Sequence, residues 1–221
     1  MCRQIQSVGV DYSTAVWQNV PYIINSDSLL SRAETAEMFN KKLIEGIKRL
    51  CEKAYPREGC GLIVGISPDN DLRGAHSPPD RVVPCSNVQE QLHKTSPKKY
   101  PETGKEAYAM DPKELLTILS EMRKRGEVLK AIYHSHPDSD VGFSSIDHNR
   151  AVHFAVEGAD IPAGIHPGFS PDRYTEESMR GSLKPKYQDI VQIIISVCDG
   201  NTEDVKFYFW DDLSGKFAEQ K

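Results

Sequence analysis

Two periods of hydrophobicity alternate along the chain, and each change of period marks a change of element. Phe39, Leu43, Ile47, Leu50, Cys51 and Ala54 recur three and four residues apart, which lays one apolar stripe along a helix. A helix is therefore predicted over roughly 32–55, with Pro56 as its stop. The unbroken apolar run over 60–66 reads as a buried strand, and 81–84 and 106–110 read as two further short strands. Leu115, Leu119 and Met122 form the apolar face of a second helix. Asp111 stands where an N-cap belongs, Pro112 at the first helical position, Glu114 at the third as in a capping box, and Gly126 at the end.

Residues 128–133 read as a strand running into His134, and 144–156 as a third helix. The segments 190–198 and 205–210 are the closing strands, with Asp199, Gly200 and Asn201 as turn material between them. Leaving aside the short run at 106–110, the order helix, strand, strand, helix, strand, helix, strand, strand predicts an α/β (α+β) fold, a single mixed sheet flanked by helices.

The polar stretches divide the chain. The first 32 residues hold β-formers such as Val8, Tyr12, Trp17 and Ile23 without a clean period, and are read as an N-terminal extension with a strand or two. Residues 33–221 then form one domain with insertions at about 67–105 and 158–187. Within the first insertion, Lys94, Lys98 and Lys99 with two prolines predict an exposed, mobile loop over 89–105. The second, 158–186, has four prolines, four glycines and no period, and is read as a loop.

Composition narrows the function. The chain of 221 residues suits one embellished domain. Its 27 basic and 32 acidic residues give a net charge of -5, so no basic excess exists to hold a nucleic-acid backbone. The longest apolar stretch, 190–198, is too short to span a bilayer, and residues 1–7 lack a signal-peptide pattern. Cys2, Cys51, Cys60, Cys85 and Cys198 are odd in number and contain no C-x-x-C pair, which fits a reducing cytoplasm better than a disulfide or zinc-ribbon scaffold. No nucleic acid and no membrane are expected as partners.

The chemistry concentrates after the strand predicted over 128–133. His134 and His136 are two apart at its end, so in an extended chain both leave the same face. Two imidazoles there can take two corners of a metal tetrahedron. Asp147, three residues after the candidate N-cap Ser144, is the natural third ligand in the first helical turn. Two His, one Asp and an open fourth position describe a catalytic zinc site, where bound water is acidified to a pKa of about 7. A base is also needed, and Glu58, at the mouth of the strand over 60–66, is the candidate. Ser144 offers a hydroxyl near the metal for a developing oxyanion. Each part alone is weak: a His-x-His pair is a common accident, Ser144 and Asp147 alone are helix-capping residues, and Glu58 alone is a surface carboxylate. Cys60, beside Glu58, is read as a small buried residue before a reactive thiol.

Glu58, then His134-Ser-His136-Pro137, six residues, and Ser144-x-x-Asp147 together resemble the JAMM/MPN+ metalloprotease family. Glu-Gly-Cys-Gly-Leu-Ile-Val-Gly at 58–65, Met110-Asp-Pro-Lys-Glu-Leu115, Phe209-Trp-Asp-Asp and Gly215-Lys-Phe217 are similar to its prokaryotic JAB branch. The resemblance covers roughly 35–218 outside the loops and implies an MPN/JAB-like (cytidine-deaminase-like) domain. It implies a zinc isopeptidase or peptidase that hydrolyses the bond after the C-terminal glycine of a ubiquitin-like protein or a β-grasp sulfur-carrier protein. By matched position His134, His136 and Asp147 would hold one zinc with water as fourth ligand, Glu58 would be the general base, and Ser144 would stabilise the intermediate. A sulfur-carrier-processing protease shares the motif. A non-catalytic MPN scaffold or adaptor subunit is a reading from a different class, against which Glu58 speaks. The two insertions are expected to choose partners, while substrate identity and oligomeric state are not legible in the chain.

Overall fold

The computed structural model describes residues 39–66, 79–156, 159–162, 183–185 and 190–219. The N-terminal extension expected over 1–32 and residues 67–78 of the first expected insertion lie outside these residues.

Helix α1 spans Lys41–Ala54. The Asn40 side chain accepts the Leu43 N–H at 2.9 Å and opens the helix, and residues 32–38 of the expected helix lie outside the described residues. Phe39 therefore lies before the helix, yet it is buried and stacks on Phe207 with ring centroids 6.2 Å apart. The rest of the chain runs as β1 Cys60–Ile66, β2 Arg81–Cys85, α2 Gln89–Thr95, α3 Pro112–Arg125, β3 Glu127–Pro137, α4 Ser145–Ala151, β4 Val152–Val156, β5 Ala159–Pro162, β6 Leu183–Pro185, β7 Val191–Cys198, β8 Asn201–Asp211 and β9 Lys216–Glu219.

Six strands form one mixed sheet in the order β2-β1-β3-β7-β8-β9, and β4, β5 and β6 form a smaller antiparallel sheet. In the large sheet only β3 and β7 are parallel. Each face has its own core. Helix α3 covers one with Leu115, Leu119 and Met122 against Leu62, Leu129 and Ile132. Helix α1 covers the other with Leu43, Ile47 and Cys51 against Ile63, Tyr133 and Ile193. Each fully buried Leu or Ile contributes about 1.5–3 kcal/mol, so both helices are held by the sheet more than by their own propensity. The alternation of β3 sends Ile132, His134 and His136 to the α3 side, and Tyr133 and Ser135 to the α1 side.

Several predicted boundaries move. The loop expected over 89–105 holds α2, and Gln89 at its start is buried with its amide donating to the Glu102 carbonyl at 2.7 Å. Side-chain bonds to backbone anchor this segment, and an apolar period cannot report them. The strand expected over 106–110 is a single bridge between Asn87 and Met110. The helix expected over 144–156 ends at Ala151, and Val152, Phe154 and Val156 enter β4, where β-formers at alternate positions find strand partners. The loop expected over 158–186 contributes β5 and β6; residues 157–158, 163–182 and 186–189 lie outside the described residues. Asp111 caps α3 as expected, but Glu114 bonds the Ser86 N–H and hydroxyl, both at 2.7 Å, in place of the N-cap amide. Among the described residues no helix is long and apolar enough to cross a membrane.

Candidate metal centre

The end of β3 carries His134 and His136, both buried, with their Nε2 atoms 3.1 Å apart. The His136 ring is oriented from behind, its Nδ1 lying 2.8 Å from the Asp140 carbonyl. A carbonyl can only accept, so Nδ1 carries the proton and Nε2 keeps its lone pair toward the centre.

Helix α4 brings the carboxylate. Ser144 donates to Asp147 Oδ2 through its backbone N–H at 2.9 Å and its hydroxyl at 2.6 Å, and the Asp147 N–H donates back to Ser144 Oγ at 3.1 Å. This is the reciprocal geometry of a capping box with Asp in the acidic place. It leaves Asp147 Oδ1 3.1 Å from His134 Nε2, and Oδ2 3.3 Å from His136 Nε2. Ligand atoms about 2.0–2.1 Å from zinc at tetrahedral angles stand about 3.3–3.4 Å from one another. The 3.1 Å between the two histidine Nε2 atoms, the 3.1 Å from His134 Nε2 to Asp147 Oδ1, and the two-nitrogen, one-oxygen donor set fit such an ion. Burial opposes charge on Asp147, but the facing histidines and Ser144 outweigh it and hold the carboxyl well below the usual range. Burial pushes His134 below its ordinary value. On His136 the same burial is outweighed by Asp147 and the Asp140 carbonyl, which raise it.

Glu58 reaches the centre from the neighbouring strand. The antiparallel register pairs Cys60 with His134, and continuing it by two residues sets Glu58 against His136. The Glu58 N–H donates to the Gly104 carbonyl at 2.8 Å, and Asn87 Nδ2 donates to the Glu58 carbonyl at 3.0 Å. The side chain is only 4% exposed, and its Oε2 has no partner among the described residues. Burial pushes its carboxyl up to about 8, with His136 pulling it down and Asp147 raising it further. A carboxyl poised there can take and return a proton near neutral pH. Cys60 is buried and its thiol is pushed well up by that burial, as suits a packed residue more than a nucleophile.

Residue-by-residue reading of the sequence missed four supports. Ser135 was signalled, because alternation places it opposite the two histidines. Asn87, Tyr108 and Arg150 carry no local signal. The Asn87 amide also donates to the Ala107 carbonyl at 3.2 Å, Arg150 bonds the Tyr108 carbonyl, and the Tyr108 ring stacks on His134. Beside Glu58, a groove of about 850 Å³ runs past Pro84 and Cys85 on the edge strand β2, between α1 and α3.

Residues 40–207 match the family of prokaryotic homologs of the JAB domain. A curated desampylase of Haloferax volcanii is 32% identical over 96 residues, which cover 43% of this chain and 55% of that protein. The match thus spans about half the length of that relative. A solution structure of a protein from Desulfitobacterium hafniense aligns with 82% of this chain and 88% of its own at 21% identity and a TM-score of 0.46. One from Salinibacter ruber aligns with 82% and 87% at 19% identity and a TM-score of 0.38.

Proposed function

The chain belongs to the family of prokaryotic homologs of the JAB domain, and from that premise we propose that it is a zinc-dependent isopeptidase or peptidase. Its substrate is a ubiquitin-like, β-grasp protein, cut after the C-terminal glycine. The observation that carries this reading is the convergence of three donors from His134, His136 and Asp147 beside the buried Glu58 carboxyl, whose Oε2 has no partner among the described residues.

His134, His136 and Asp147 would hold one zinc ion. When bound, zinc supplies a Lewis acid that polarises a carbonyl and makes water acidic near neutral pH. Glu58 takes the proton from the attacking water and hands it to the leaving amine. Ser144 turns its hydroxyl from Asp147 to the developing negative charge on the scissile carbonyl oxygen. A glycine-ended tail would lie extended along the groove at the β2 edge, where an edge strand offers unpaired backbone groups.

A scaffold or adaptor role is disfavoured by Glu58, since a structural metal site has no use for a buried carboxyl whose Oε2 lacks a partner among the described residues. Processing of a sulfur carrier needs the same residues and differs only in the bond cut. The desampylase relative supports the isopeptide form. We assign the catalytic domain to 33–221 and partner choice to the 158–187 segment. The free thiols of Cys51, Cys60, Cys85 and Cys198 favour a reducing cytoplasm.

The test uses β-grasp proteins ending in glycine, joined either to a lysine side chain or to a linear peptide, with products read by mass spectrometry. Cleavage after the glycine, lost with chelator and restored by zinc, is the expected result. A zinc-loaded protein that cuts neither substrate would favour the adaptor.

A further inference from the structure

We infer that Tyr108 is a positioning residue for His134: its ring, stacked on the imidazole, sets the plane that a hydrogen bond sets for His136. This rests on the reading that His134, His136 and Asp147 hold zinc.

The two histidines are supported unequally. His136 Nδ1 is bonded to the Asp140 carbonyl at 2.8 Å. His134 Nδ1 is buried and has no hydrogen-bond partner among the described residues. A metal-binding histidine ordinarily donates its second ring N–H to a carboxylate or carbonyl, which fixes the ring about its bond to the chain. His134 lacks that restraint and is free in principle to rotate its Nε2 out of line. The Tyr108 ring lies over it, with centroids 4.7 Å apart and the planes inclined by 27°. That is an attractive aromatic arrangement, and rotation of the imidazole would break it.

Tyr108 can act in this way because its own backbone is clamped on both sides. The Asn87 side chain bonds the Ala107 carbonyl at 3.2 Å and the Ala109 N–H at 3.0 Å. Arg150 donates to the Tyr108 carbonyl and lies on α4, one turn after Asp147. The helix that delivers the third donor thus also presses the ring onto the first. Asn87 binds the Glu58 carbonyl as well, at 3.0 Å, so the ring, the base and the donors share one set of anchors.

The test is zinc affinity, by competition with a chromophoric chelator, and the visible absorption of the cobalt(II) form, on the full chain with its fold followed by circular dichroism. Tyr108→Phe keeps the ring and should bind zinc like the wild type, with an unchanged cobalt spectrum. Tyr108→Ala should lose about 10–100-fold in affinity, the usual scale for an outer support of a metal ligand, and alter the spectrum. Tyr108→Leu, which fills the space without an aromatic face, should also weaken binding and covers the case in which the alanine variant does not fold. Wild-type affinity in folded Tyr108→Leu or Tyr108→Ala would overturn the inference. Equal loss in Tyr108→Phe would overturn it too, by assigning the role to the hydroxyl. His134→Ala is the control: if it binds zinc as the wild type does, the metal site itself is wrong and the inference falls with it.

Discussion

Gly59 and Ser135 exchange two hydrogen bonds, Gly59 N–H to Ser135 Oγ at 2.8 Å and Ser135 N–H to the Gly59 carbonyl at 2.9 Å. Gly59 follows Glu58, and Ser135 separates His134 from His136. The pair therefore clips the proposed base to the strand that carries two of the proposed ligands.

Replacing Ser135 by Ala removes the acceptor of a buried N–H. An orphaned buried donor costs about 1–3 kcal/mol, so urea denaturation should show a loss of that size. Zinc content should stay at the wild-type level while turnover falls, because the base shifts and the ligands do not. A stability change within about 0.5 kcal/mol, the range of an ordinary surface substitution, would show that the clip is dispensable.

Glu58→Gln keeps the side-chain shape and removes the base. Zinc stoichiometry and fold should be unchanged, and kcat should drop about 10²–10⁴-fold. Near wild-type turnover would pass the role to another group.

The same substitution has a pH signature in protein stripped of metal. Burial raises the Glu58 carboxyl from 4.5 to about 8, so the folded chain keeps a proton that the unfolded chain gives up. Below pH 4.5 the carboxyl is neutral in both states and its burial is not opposed. Between pH 4.5 and about 8 its contribution to stability is lost, by at most about 1.4 kcal/mol per pH unit. Glu58→Gln escapes this loss. Its stability advantage over the wild type, from urea titrations, should grow across that window and level off above it. An advantage that is flat with pH would contradict a raised carboxyl.

Metal binding should need each donor. His134→Ala, His136→Ala and Asp147→Ala should each lose stoichiometric zinc by elemental analysis, whereas Ser144→Ala should retain it and lose turnover. Full zinc in all three donor variants would place the metal elsewhere.

Gly61→Ala should destabilise the fold without touching the centre. A Cβ there would clash with the Val83 carbonyl oxygen and lie 2.5 Å from the Tyr133 hydroxyl. Overpacking of this kind costs about 1–3 kcal/mol, read as a lower urea midpoint. Adding Tyr133→Phe should recover only part of the loss, since the Val83 backbone still blocks the site. Full recovery would show that the strand backbone yields.

What could be read along the chain was what neighbouring residues decide among themselves. The α1 stripe, the Asp111 cap, the strand at 60–66 and the shared face of His134 and His136 follow from backbone periods. The Ser144–Asp147 exchange spans three residues and is set by one turn of helix. Folding decided what depends on distant segments meeting. Val152, Phe154 and Val156 suited helix or strand on local grounds, and pairing with β5 and β6 chose strand. The segment at 89–105 is ordered by polar anchors at Gln89 and Asn87, which leave no trace in hydropathy. Glu58 is a surface-type residue by composition, and its high proton affinity exists only because the fold removes it from water. Tyr108 and Arg150 likewise acquire their places beside His134 and Asp147 by contacts across dozens of residues, which chain order alone does not specify.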